Sequence, residues 1–119
     1  MTTDRDMMDF VERTMDCALR DQNWLWLTDP DSPGFGTMFQ IDHDLTEGLV
    51  PDSVWQAVQE VAGSELGFVY ERRGPESLSP IDRQRLQAVR DGACAYGLRL
   101  RGPVLLHDTG ARWLGPDDL

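Results

Sequence analysis

Apolar positions recur along this chain with a helical spacing in some stretches and as short continuous runs in others. In residues 4–22, Met8, Val11, Met15 and Ala18 fall three and four apart, with Phe10 and Leu19 beside them. Glu12, Arg13, Asp16 and Arg20 take the opposite side, so the stretch predicts one amphipathic helix. Trp24-Leu25-Trp26-Leu27 is apolar on both sides and fits either a buried strand or the last turn of that helix. Asp29-Pro30-Asp31-Ser32-Pro33-Gly34 is a turn: proline fixes φ, aspartate bonds its own backbone, and glycine tolerates positive φ. Residues 35–41 read as a strand, with Met38 and Phe39 giving it apolar weight, and residues 42–48 as an acidic loop.

The second half alternates more regularly. Val50-Pro51-Asp52-Ser53 opens a helix with Val54, Trp55, Val58, Val61 and Ala62 on one face, ended by Gly63. Residues 66–70 form a short apolar run of central-strand type, broken by Arg73-Gly74-Pro75-Glu76. Ser79-Pro80-Ile81-Asp82 starts another helix, whose buried stripe is Leu86, Val89, Ala93 and Tyr96, with Gly97 at its end. Residues 98–106 are extended but interrupted by Gly102-Pro103, which predicts two strands or one bulged edge strand. Residues 111–114 offer a last strand after the Thr109-Gly110 turn. Strands alternating with amphipathic helices predict an α/β layered architecture, and 119 residues are enough for a single domain.

Ser79 and Asp82 carry the first chemical signal. Serine before Pro80, with an acid three residues on, is an N-cap with a near capping box, worth about 1 kcal/mol to the helix. The surrounding order is helix, strand, Gly/Pro loop, Ser-Pro-Ile-Asp, helix, strand, Leu105-Leu106-His107-Asp108. Over residues 45–114 this order resembles the RadC-like JAB/MPN (JAMM) domains, with residues 1–23 as an additional N-terminal helix. Those domains carry His-x-His, seven residues, then Ser-x-x-Asp, and hold zinc with the histidines and the aspartate. The resemblance implies a mixed sheet flanked by helices, with Ser79 and Asp82 at the Ser-x-x-Asp places. Val69 and Glu71 stand at the histidine places. Glu71, Ser79 and Asp82 are then vestiges of a metal motif, with no catalytic residue, no bound metal and no other cofactor expected.

Charge narrows the partners. The net charge is −10, and residues 1–65 hold 14 acidic against 3 basic side chains. All the bases are arginine, and an acidic surface disfavours nucleic-acid phosphates and anionic membranes. No apolar run approaches the roughly 20 residues of a membrane span. The acidic Met1-to-Asp6 segment lacks the order of a signal peptide, so a cytoplasmic setting is expected. Cys17 and Cys94 have no metal spacing and read as two reduced, packed thiols. Arg72, Arg73 and Arg83, close to a helix start, are candidates for holding an anion, against internal pairing with the acids. His43 and His107 are lone histidines, and the four tryptophans fit core packing, with one near a surface able to anchor a partner.

The leading expectation is a non-catalytic JAB/MPN-like domain that binds another protein, with homodimerisation compatible with the pattern. Two alternatives use other features. One is a metal-dependent hydrolase with a rebuilt site on Glu71, Asp82 and His107. The other is an acidic regulator or nucleic-acid mimic that binds a basic partner.

Overall fold

A computed structural model describes residues 4–15, 17–19, 22–28, 36–41, 52–60 and 65–118. The element order is α1 (Asp4–Thr14), β1 (Gln22–Thr28), β2 (Gly36–Ile41), α2 (Asp52–Gln59), β3 (Glu65–Glu71), α3 (Pro80–Ala95), β4 (Leu100–His107) and β5 (Gly110–Trp113). A short 3₁₀ turn, Pro116–Asp118, follows. The strands form one five-stranded mixed sheet in the order β2-β1-β3-β4-β5. β1 is antiparallel to both β2 and β3, β3 and β4 run parallel through the α3 crossover, and β4 and β5 are antiparallel. This is a mixed sheet flanked by helices, within the α/β layered architecture that the alternation of elements predicts.

The period-two alternation of the strands splits the core into two layers. Leu25, Leu66, Phe68, Tyr70 and Leu105 face α2 and α3, where they meet Trp55, Val58, Leu86, Val89 and Ala93. Trp26, Val69, Val104 and Leu106 face the other way, against Met7 and Val11 of α1. Phe10 stacks on Trp26 with ring centroids 5.3 Å apart. Close approach of α1 depends on Gly67, where a Cβ would sit 2.5 Å from Met7 Cε and 3.1 Å from Trp26 Cε3.

Two elements and the packing of the thiols differ from the sequence reading. The first helix ends at Thr14, not near residue 22, and Gln22 begins β1. The chain leaves α1 through a turn, and the Ala18 N–H then bonds the His107 carbonyl at 2.8 Å, which draws residues 17–19 to the end of β4. Tertiary hydrogen bonding here overrides a helical periodicity that continued in the sequence. Residues 100–107 form one strand that is interior, between β3 and β5, not an edge. The Gly102-Pro103 interruption is absorbed by a register shift against β3 between Gly67 and Val69. Cys94 is exposed and Cys17 half-buried, both free, so packing of the two thiols is incomplete. The 29–34 turn, the 42–48 loop with His43, and Val61, Ala62 and Gly63 lie outside the described residues.

α3 is capped at both ends. Ser79 Oγ accepts the Asp82 N–H while the Asp82 carboxylate accepts the Ser79 N–H, a reciprocal capping box with Pro80 at the first turn. At the other end the Leu98 N–H bonds the Ala93 carbonyl and the Gly97 N–H bonds that of Cys94, closing the helix in a Schellman arrangement.

Candidate functional site

The groups with chemical potential gather where β3 runs into α3. Asp82 is only 5% exposed, so its charge needs compensation inside the protein. Arg72, one residue beyond β3, supplies it. Its Nε and Nη2 both donate to Asp82 Oδ2, at 3.1 and 3.0 Å. Its remaining reach is taken by the intervening loop, with Nη1 donating to the Pro75 carbonyl at 2.6 Å and Nη2 to that of Ser77 at 2.8 Å. Gly74 turns this loop at φ +130°, and a Cβ there would crowd Arg72 Nη1 at 3.1 Å. The other carboxylate oxygen, Oδ1, accepts the Tyr70 hydroxyl at 2.9 Å, and that hydroxyl in turn accepts from Arg85 Nη1 at 3.1 Å.

The ionisations follow from these contacts. Burial by itself raises the Asp82 carboxyl and is the largest single influence. Hydrogen bonds from Arg72, the Ser79 N–H and Tyr70, with the Arg72 charge, together outweigh it and hold the carboxyl below its ordinary value. Burial pushes the Tyr70 hydroxyl above its ordinary value; Arg85 acts against that shift and the Asp82 charge adds to it.

Glu71 points to the opposite face. Its carboxylate accepts the Leu19 N–H at 2.8 Å, Gln22 Nε2 at 2.8 Å and Trp24 Nε1 at 2.9 Å. This contact fastens the segment between α1 and β1 under the sheet. Glu71 and Asp82 therefore lie on different sides of the sheet and share no ion. His107 ends β4, buried, with Nδ1 3.4 Å from the Thr109 N–H and 3.3 Å from Thr109 Oγ1. Among the described residues no three His, Cys, Asp or Glu side chains are grouped to hold a metal.

Of the motif residues, Ser79 and Asp82 are brought together and Glu71 is not. The side chains that reach Asp82 from β3 are Tyr70 and Arg72, each one residue away from the Val69 and Glu71 places set by a seven-residue spacing. Strand alternation is the signal that finds them: 66, 68, 70 and 72 share the α3 face, while 69 and 71 share the other. The residues present do not fit the zinc ion that the JAMM resemblance implies. A guanidinium cannot ligate a cation, and the tyrosine hydroxyl already donates its proton to the aspartate.

The three arginines proposed for an anion serve three separate places. Arg72 is turned inward onto Asp82. Arg73 is exposed, 3.7 Å from Asp108. Arg83 is exposed, with Nε donating to the Asp118 carbonyl at 3.3 Å. Arg112, which the sequence reading passed over, ties β5 down by ion-pairing Asp118 at 2.7 Å and donating to the Glu76 carbonyl at 2.9 Å. Among the described residues no helix is long and apolar enough to cross a membrane. No known protein family matches the chain, and no curated protein matches its sequence.

Proposed function

We propose that this chain is a non-catalytic JAB/MPN-like domain that acts as a protein-interaction module, in the cytoplasm and without a resident metal. One observation carries the reading: the aspartate of the Ser-x-x-Asp pair is already bound to the chain's own guanidinium. Zinc hydrolysis needs three ligands and an open coordination position. Here the groups around the Asp82 carboxylate are a cation, a hydroxyl donor and a backbone N–H. They hold a helix start and leave no ligand set. The acidic balance favours a protein partner over nucleic acid, and a homodimer is compatible with the reading.

The test separates scaffold from chemistry. Asp82→Asn removes the charge that Arg72 requires, so it lowers thermal stability, while retention of a co-purifying protein partner stays unchanged. A chelator likewise changes neither. Loss of the partner at unchanged stability, or on chelation, contradicts the reading.

A further inference from the structure

We propose that the groove between α1 and β5 receives a single basic side chain, arginine above lysine, from a partner peptide. The inference rests on the interaction-module reading and gives that module a place and a ligand chemistry. The groove has a volume of about 410 Å³ and is lined by Arg5, Met8, Asp9 and Glu12 of α1 and by Trp113 of β5. Trp113 is half-buried: it packs against the α1 layer of the core and still contributes to the groove wall. It ends a strand that, among the described residues, pairs with β4 alone and lies at the edge of the sheet, where a peptide backbone can approach.

The charges select the occupant. Asp9 and Glu12 are three apart on α1, which puts them side by side on the helix surface, and both are exposed. Among the described residues no hydrogen bond or ion pair engages either carboxylate; Arg13 Nε donates to the backbone carbonyl of Asp9, not to its side chain. Arg5 lies one turn before Asp9 and forms no ion pair with it, so the groove keeps two negative groups against one positive. An indole and two unengaged carboxylates lining one groove form the combination a desolvated cation seeks. A guanidinium suits it better than an ammonium, because it stacks flat on the ring and forks to a carboxylate. Arg5 repels a second cation at its end of the groove, which limits the site to one basic side chain and disfavours a continuous basic run. The net charge of −10 favours approach of a cationic peptide to the molecule as a whole.

The probe is an eight-residue Gly/Ser peptide with one central arginine, titrated into the full ¹⁵N-labelled chain and followed by NMR. Its control carries citrulline, the neutral isostere, in the same place. The expected result is saturable shifts confined to α1 and the Trp113 indole N–H, at least about fivefold weaker binding of the citrulline peptide, and a similar loss in Trp113→Leu or Glu12→Gln. Asp91→Asn, an exposed charge change on α3, leaves binding unaltered. Trp113→Leu keeps an apolar contact against α1, and if its fold is disturbed, the exposed Glu12→Gln carries the test. Equal binding of arginine and citrulline peptides overturns the proposal. So do shifts spread over the acidic surface, concentration-dependent shifts of the same residues without peptide, or full binding by Glu12→Gln. A partner that still binds when the groove variants fail to bind peptide removes the groove and leaves the module reading standing. Absence of any protein partner removes the module reading itself.

Discussion

Tyr70, Glu71 and Arg72 are consecutive, yet they work on opposite faces of the sheet by different means. On the α3 face, Tyr70 and Arg72 converge on a carboxylate delivered by the next helix, so strand, loop and helix start are joined in one charged network. On the α1 face, Glu71 gathers N–H donors from the segment that follows α1, while the helix itself is seated by shape, Met7 over Gly67 and Phe10 on Trp26. The first face depends on a partner for a buried charge. The second satisfies its buried carboxylate with neutral N–H donors and seats α1 by close packing. The difference matters for function, because the network engages the Asp82 carboxylate, which a metal at this place would need.

That contrast is most severely tested at Arg72. Arg72→Ala leaves Asp82 buried without its cation and the Pro75 and Ser77 carbonyls without their donor, and should cost about 3–5 kcal/mol. Chemical denaturation measures it. A loss under about 1 kcal/mol would mean that the α3 face is held by apolar packing alone, and the comparison would collapse.

Gly67→Ala comes next and probes the other face. Overpacking of Met7 and Trp26 should cost about 1–3 kcal/mol, and Met7→Ala in the same chain should recover part of it. A cost that Met7→Ala leaves untouched would show that α1 is not seated through this contact. Ser79→Ala should cost about 1 kcal/mol through the lost cap and leave Glu71 and its donors undisturbed in NMR spectra.

The mildest probe is pH, read on the α3 face through Asp82 and Tyr70. Asp82 has a folded value below its ordinary 3.8, so its stabilisation is fully present above that value and is lost as pH falls through the folded value. Tyr70 lies above its ordinary 10.0, so its contribution holds below that and is lost as pH rises through the folded value. Melting temperatures should therefore fall at both extremes. Asp82→Asn should flatten the acid side and Tyr70→Phe the alkaline side. Unchanged acid sensitivity in Asp82→Asn would move the titrating group elsewhere.

Much of this architecture is written locally. The stripe of Leu86, Val89 and Ala93, the serine and proline before it, and Gly97 after it mark α3 from end to end, because caps and periodicity act within one segment. Trp24 to Leu27 is ambiguous in the sequence because a strand buried on both faces loses its alternation. Its neighbours β2 and β3 decide it. The end of α1 is illegible for another reason: Met15 and Ala18 continue the helical spacing, and only the distant His107 carbonyl explains why Ala18 leaves it. At the candidate site, Ser79 and Asp82 were legible as a cap. Their partners were missed because a count along the chain picks Val69 and Glu71, whereas the pleat of β3 presents Tyr70 and Arg72. Arg72 itself, grouped by sequence with Arg73 and Arg83, is separated from them by burial, which no count of charges shows.

The central claim is that Arg72 holds the place a metal would need, and zinc content tests it most directly. The full chain would be expressed with zinc present, purified by gel filtration and analysed for metal by elemental analysis. The account predicts no stoichiometric zinc, with the protein folded and Asp82 engaged by Arg72. About one zinc per chain would contradict it and would return Asp82 to the role of a ligand.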